Sequence, residues 1–246
     1  MTTPTSTLTG KTVLVTGANR GLGHALVQQA LSRGAGRVYA AARHASEQSD
    51  PRITPLRLDT TDPEQIQAAA AAIPSLDVLI NNAGVSLVDD LSNMSVIEAH
   101  LAVNLFGTYR VTQALLPQLI ASRGAVVNVL SLAALATVPV TPAYAISKAA
   151  AFSMTQSLRA LLAGQGVRVH AALPGPIDTD MIRDWDIPKT DAAGVAAAIL
   201  DGLATGQEEI FPDPMSATLA PAWDCGPVKT LERANAAAVQ ALAATA

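Results

Sequence analysis

Cysteine occurs once in the 246 residues, at Cys225. That leaves no disulfide framework and no thiolate set for a metal. Histidine is scarce as well: His24, His44, His100 and His170 are scattered, none with a partner at i+3 or i+4 to suggest a metal-binding pair. Only 15% of residues are charged, the net charge is −4, and no basic run occurs. These absences argue against nucleic acid and against an acidic membrane surface. No uncharged apolar run reaches the ~18–20 residues that a bilayer-spanning helix needs. The opening MTTPTSTLTG also lacks the basic stretch and apolar run of a signal peptide. The expectation is a soluble, cytoplasmic protein with neither nucleic acid nor membrane as a partner, and no metal.

Apolar residues are what the chain has in quantity, at 50%. That is ample for one large core, and the length suits a single α/β domain. Short β-branched runs alternate with alanine- and leucine-rich helical stretches. Strands are expected at Thr12–Thr16, Arg37–Ala41, Thr54–Leu58, Val78–Ile80, Ala125–Leu130 and Val167–Ala172, and helices at 21–33, 63–72, 93–121 and 142–163. Continuous apolar runs such as AVVNVL and VRVHAAL suit strands covered on both faces. The rhythm predicts a Rossmann-type, doubly wound parallel sheet of about seven strands with helices on both faces. Residues 1–9 read as a flexible tail and 10–246 as one domain. Residues 212–246 are less regular, ending in an alanine-rich helix from about Val228.

The first strand runs into TGANRGLG, which holds Gly17, Asn19, Arg20, Gly21, Leu22 and Gly23. Strand, tight glycine turn and helix together let backbone N–H groups receive a pyrophosphate. The spacing is G-x-x-x-G-x-G rather than the commoner G-x-G-x-x-G. An acidic residue at the end of the second strand would bind a ribose 2′-hydroxyl and favour NAD. Here that strand ends VYAAARH, with Arg43 and no carboxylate. Arg20 and Arg43 are placed to clamp a 2′-phosphate instead, so NADP(H) is expected ahead of NAD(H).

In PAYAISKAA, Tyr144 and Lys148 stand four apart, on one helix face. An isolated pair of this kind says little. Its company says more: TGANRGLG, NNAG at Asn81–Gly84, a serine ending NVLS, and YAISK follow one another in order. From about Gly10 to Met181 the chain closely resembles the short-chain dehydrogenase/reductase family. The resemblance implies that Asp59 lies beside the adenine and that Asn81, Ala83 and Gly84 line the middle of the cofactor and steady the central strands. It implies that Asn104 helps hold a water-linked proton path. Pro174, Gly175, Ile177 and Thr179, in PGPIDTDM, match the loop that holds the nicotinamide carboxamide. Ser131 stands thirteen residues before Tyr144, the usual family separation.

The chemistry fits those roles. A free tyrosine, with pKa near 10, is a sluggish acid at neutral pH. A lysine ammonium nearby favours the phenolate and lowers that value. Ser131 can share the charge that develops on a substrate oxygen. Tyr144, Lys148, Ser131 and Asn104 are therefore the expected catalytic set for reversible reduction of a ketone or aldehyde by NADPH. Two other readings of the scaffold are a turnover-free NADP(H) sensor or scaffold protein and a non-redox enzyme such as a dehalogenase. Both lysine and tyrosine are kept, and the glycine loop is complete, which favours the reductase.

A short lid is expected over 177–191, with Met181 and Trp185 covering the substrate and Ala133 and Val138 forming another wall. Asp89 and Asp90 read as solvated loop carboxylates. The residues after the last strand, EEIFPDPMSATLAPAWDCG, depart from the family's V-D-G-G-like ending. A homodimer through helices 93–121 and 142–163 is then as plausible as a homotetramer. Trp223 would either close over the site or pack on the surface.

Overall fold

The computed structural model describes residues 8–44 and 49–244. Seven strands form one parallel sheet in the order β3-β2-β1-β4-β5-β6-β7. They are β1 (Thr12–Thr16), β2 (Arg37–Ala42), β3 (Ile53–Arg57), β4 (Val78–Asn81), β5 (Ala125–Val129), β6 (Arg168–Ala172) and β7 (Glu209–Ile210). β1 and β4 are neighbours, and the chain winds away from them in opposite directions. Ligands of open α/β sheets bind at such a reversal, beyond the carboxyl ends of the strands.

The strands are apolar and buried on both sides because helices cover both faces. On one side α1 (Gly21–Ser32) and α6 (Ala192–Thr205) pack Leu22, Leu26, Ile199 and Leu203 against Val13, Val38 and Val127. On the other, α2 (Pro63–Ala72), α4 (Thr108–Ser122) and α5 (Pro142–Leu162) pack Ile66, Leu115, Leu119 and Leu158 against Leu14, Leu79 and Val126.

Three sequence expectations shift. The run 93–121 is not one helix: α3 (Met94–His100) passes into a π-helical turn at Leu101–Gly107 before α4 begins. Gly107 there lies against Thr60, whose Oγ1 would stand 2.8 Å from an added Cβ. The tail boundary also moves. Residues 1–7 lie outside those described, but Leu8 is buried and Thr9 bridges to Ala35, so these two belong to the packed body. Finally, the placement of Trp223, left open between closing over the site and packing, narrows to packing: its ring lies on Phe152 at 5.6 Å and Phe211 at 6.5 Å.

After β7 come α7 (Pro214–Ala217), α8 (Ala220–Asp224) and α9 (Pro227–Ala244). α9 packs on the second half of α5 around a group of charges that is largely buried apart from Glu208. Lys229 Nζ, 1% exposed, meets Glu208 and Glu209 at 2.7 Å each and Glu232 at 3.0 Å. Arg159, from α5, pairs with Glu209 at 2.8 Å and also with Glu232. Buried charges persist only when matched in this way.

Candidate active site

β1 ends at Thr16 and the chain turns at Gly17, φ +67°. A Cβ on Gly23 would lie 2.0 Å from the Gly17 oxygen, so the turn and the first turn of α1 touch backbone to backbone. The β4 end holds the turn from the side: Asn82 Nδ2 donates to the Thr16 oxygen at 2.9 Å, while Thr16 Oγ1 accepts from Asn82 N and Ala83 N at 3.0 Å each. Arg20 occupies the N-cap position of α1, and no side chain among the described residues caps that end. Leu22 is buried beneath the turn. The first-turn N–H groups are thus available to an anion.

The adenosine side lies at the end of β2. Arg43 is exposed there, Ala18 N donates to the Ala41 oxygen at 3.0 Å, and Asn19 Nδ2 donates to the His44 oxygen, lacing the glycine turn to this strand end. Asp59 accepts from Thr61 Oγ1 at 2.7 Å and Thr61 N at 2.9 Å. These bonds, helped by the Arg43 charge, hold its carboxyl below the usual range. Arg20, expected to join Arg43 in clamping a 2′-phosphate, is engaged by a carboxylate here. Arg20 reaches instead to Asp180 at 2.8 Å, in the 177–191 segment. A nearby carboxylate that the sequence reading left out of account draws it there.

Asn81 is a strut: its Nδ2 donates to Thr112 Oγ1 and Asn128 Oδ1, both at 2.9 Å, and Asn128 Nδ2 donates to Thr155 Oγ1 at 2.9 Å. The chain of amides and hydroxyls links β4, β5, α4 and α5 inside the core. Asn104, in the π turn, is 2% exposed. It accepts from Val85 N at 2.9 Å and donates to the Val85 oxygen at 3.0 Å and to Ser147 Oγ at 2.9 Å. The missing side chain of Gly84 opens the space between them: a Cβ there would be 3.2 Å from Asn104 Oδ1 and 3.7 Å from Lys148 Nζ.

Ser131, Tyr144 and Lys148 do converge. Ser131 follows β5, caps a short 3-10 turn by accepting from Ala133 N at 3.1 Å, and lies near enough to the Tyr144 phenol to lower its pKa. Capping of the turn and closeness to Tyr144 therefore coexist in one side chain. Lys148 Nζ donates to the Val129 oxygen at 2.9 Å and lies 5.6 Å from the centre of the Tyr144 ring. Burial pushes the Tyr144 phenol up to about 12, against Ser131, which lowers it. The same burial brings Lys148 down to about 8. Tyr144 keeps an edge in solvent, but its hydroxyl lies deep among protein atoms, and that depth governs the shift. The sequence argument assigned the phenol's tuning to the lysine charge. In this arrangement burial is the largest influence on the phenol, and Ser131 is the group that opposes it.

Two residues escaped the sequence reading. His100 is fully buried with its ring edge-on to Tyr144 at 6.3 Å; Nε2 accepts from Leu87 N at 3.0 Å, and Nδ1 faces the Val96 oxygen at 2.7 Å. Asp213, 4% exposed, accepts from Gly175 N at 2.7 Å. A lone histidine and a lone aspartate carry no local pattern that would have marked them. Asp89 is likewise more than a solvated carboxylate: it accepts from Ala143 N at 3.2 Å and so caps the start of α5. Asp90 accepts from Ser92 N within its own loop.

The 177–191 segment is pinned at its base, where Asp178 N donates to the Thr190 oxygen and Thr190 N to the Pro176 oxygen, both at 2.9 Å. Ile177 pairs with Thr190 as a parallel bridge. Thr179 packs against Gly21, its Cγ2 only 3.0 Å from where a Cβ would stand. Of the expected walls, Ala133 is buried, Val138 and Trp185 are half-buried, and Met181 is exposed.

A parallel sheet reversing between β1 and β4, with a glycine turn on one side and a serine, tyrosine and lysine on the other, is the arrangement of a Rossmann-type oxidoreductase. The chain belongs to the short-chain dehydrogenase/reductase family; the family model for short chain dehydrogenase matches residues 11–189. It is similar to the short chain dehydrogenase pigC of Monascus ruber, 34% identical over 71% of this chain and 65% of that protein. Estradiol 17-beta-dehydrogenase 2 of Mus musculus is 35% identical over 72% of this chain but 51% of its own length, so the chain matches only about half of that relative. Among solved structures, a short chain dehydrogenase from Burkholderia cenocepacia in complex with NADP superposes with TM-score 0.84 at 36% identity, covering 92% of this chain and 97% of that one. Among the described residues no helix is long and apolar enough to cross a membrane, and no group of three metal-ligating side chains occurs.

Proposed function

We propose that the protein reduces a neutral ketone or aldehyde reversibly, with NADPH preferred over NADH. The observation that carries this reading is the convergence of Ser131, Tyr144 and Lys148 beside Gly84 and Asn104. The glycine turn and the uncapped start of α1 fit a pyrophosphate, with Gly17, Asn19, Gly21, Leu22 and Gly23 as its cradle. Arg43, at a β2 end without a carboxylate, would meet a 2′-phosphate, and Ile177 and Thr179 the carboxamide. Bound there, the nicotinamide would supply hydride. The NADP bound to the Burkholderia relative supports the same preference.

Ser131 donates a hydrogen bond to the carbonyl oxygen and stabilises its growing charge. Tyr144, kept protonated by its burial, delivers the proton to that oxygen. Lys148 lies beneath the ring as the nearest ammonium, to favour the phenolate left behind, and Asn104 holds the Val85 and Ser147 positions around the proton's way back to solvent. Asp180 is paired with Arg20 and Arg183, Asp89 caps α5, and Asp90 is held in its own loop. With those carboxylates engaged, a neutral substrate fits the walls best. Tyr144→Phe should lower turnover by about 10²–10⁴ while leaving NADPH affinity nearly unchanged; undiminished turnover across a panel of carbonyls would overturn the assignment. Arg43→Ala should weaken NADPH about 10- to 100-fold and leave NADH little affected. Equal losses for both would remove the 2′-phosphate argument.

A further inference from the structure

The peptide unit between Pro174 and Gly175 is held on both sides. Its carbonyl accepts from Leu132 N at 2.9 Å, and its N–H donates to Asp213 Oδ2 at 2.7 Å. Leu132 directly follows Ser131, and the Pro174–Thr179 loop begins at this peptide. One planar unit therefore joins the serine's turn to the C-terminal segment.

Asp213 is built for that reach. Its Oδ1 accepts from Met215 N at 3.1 Å and Ser216 N at 3.0 Å, as the N-cap of α7. Its Oδ2 is left for Gly175 N and for Ser216 Oγ, each at 2.7 Å. Oδ1 thus serves the backbone of the cap, while Oδ2 is shared between the tether to Gly175 and the Ser216 hydroxyl. Gly175 permits the contact, since a Cβ there would stand 3.1 Å from Asp213 Oδ1 and 3.2 Å from Met215 Sδ. No cation pairs with this buried carboxylate among the described residues; four hydrogen bonds satisfy it.

We propose that Asp213 is a positioning residue of the site, setting the plane of the Pro174–Gly175 peptide and, through Leu132, the turn that carries Ser131. This role rests on the carbonyl reduction proposed above. It makes the segment after β7 part of the active site rather than an appendage.

Asp213→Asn separates the two tasks. An amide keeps an oxygen for the two cap N–H groups but turns an NH2 toward Gly175 N, donor against donor. Ser216→Ala removes the hydroxyl that bonds Asp213 N and Oδ2, weakening the capping box while Oδ2 can still accept from Gly175 N. In Asp213→Asn, amide hydrogen exchange at Gly175 and Leu132 should quicken by about 10-fold or more. Its kcat should fall about 10- to 100-fold with the KM for NADPH within about 3-fold of wild type. Ser216→Ala should retain kcat within about 3-fold. The proposal is overturned if Asp213→Asn leaves exchange or kcat unchanged, or if Ser216→Ala loses as much activity, which would mean that only the cap matters. Should Asp213→Asn not fold, Asp213→Ser, which keeps a cap oxygen too short for Gly175, is read by the same criteria. Amide exchange needs no turnover, so it judges the tether even if Tyr144→Phe has already disproved the reduction.

Discussion

Lys148 and Lys229 both project from or against α5, both are at most 5% exposed, and they are treated in opposite ways. Lys229 is sealed from solvent yet shallow, and three carboxylates surround it. Burial pulls its pKa down, but the bonds to Glu208 and Glu209 outweigh that and raise it. Lys148 lies deeper, meets a backbone carbonyl and an aromatic ring, and among the described residues has no acid to hold its proton; its pKa falls to about 8. The first lysine is an anchor, charged and matched. The second is held near the pH where its charge comes and goes, a perturbation of the kind that clusters at functional sites.

Removing each lysine tests this contrast. Lys229→Met leaves Glu209 and Glu232 to Arg159 alone and should cost about 3–5 kcal/mol in urea unfolding, with kcat in the surviving folded protein near wild type. A loss below about 1 kcal/mol would mean that Arg159 alone satisfies the acids. Lys148→Met should act the other way, raising unfolding free energy at pH 7 by about 1–3 kcal/mol while turnover falls steeply. A destabilised Lys148→Met variant would show that the bond to Val129 outweighs the buried charge.

A further test of the contrast is in the pH dependence. Lys148 titrates at its ordinary 10.5 when unfolded and at about 8 when folded. Between these values the unfolded chain binds the proton that the folded chain has released, so this group makes stability rise as pH goes from about 8 to about 10.5. Tyr144, ordinarily 10 and here about 12, acts oppositely, so stability falls from about pH 10 upward. Wild type should therefore gain stability between pH 8 and 10 relative to Lys148→Met, by up to about 2–3 kcal/mol. Parallel pH curves for the two proteins would refute the shift assigned to Lys148.

The same contrast explains what could be read from the sequence. The strands and helices of the sheet were legible because period, β-branching and glycine turns are local signals, and Tyr144 and Lys148 because four residues make one helical turn. The partners of Lys229 were not, since Glu208 and Glu209 come to it only when β7 docks beside β6. The two-residue β7 has too little pattern to announce itself, and the acid that draws Arg20 away, Asp180, lies far along the chain. Asp213 sits in a PDP stretch that reads as a bare connection until Gly175 is placed against it. The site's electrostatics also escaped, because burial depends on what covers a group rather than on its sequence neighbours.

The π-helical turn at Leu101–Gly107 carries a consequence for the length of the chain. Each residue of an α-helix advances about 100° around the axis. A wider turn accommodates one residue more, so α3 and α4 are out of step by about that angle. Val111, Leu115 and Leu119 can then face the sheet while Asn104 and His100 face α5. Losing a single residue here would let the helix run straight and swing both of the latter away from Tyr144. The site is phased by a count of residues as well as by their kinds, and a chain could keep every motif yet lose its site by being one residue short.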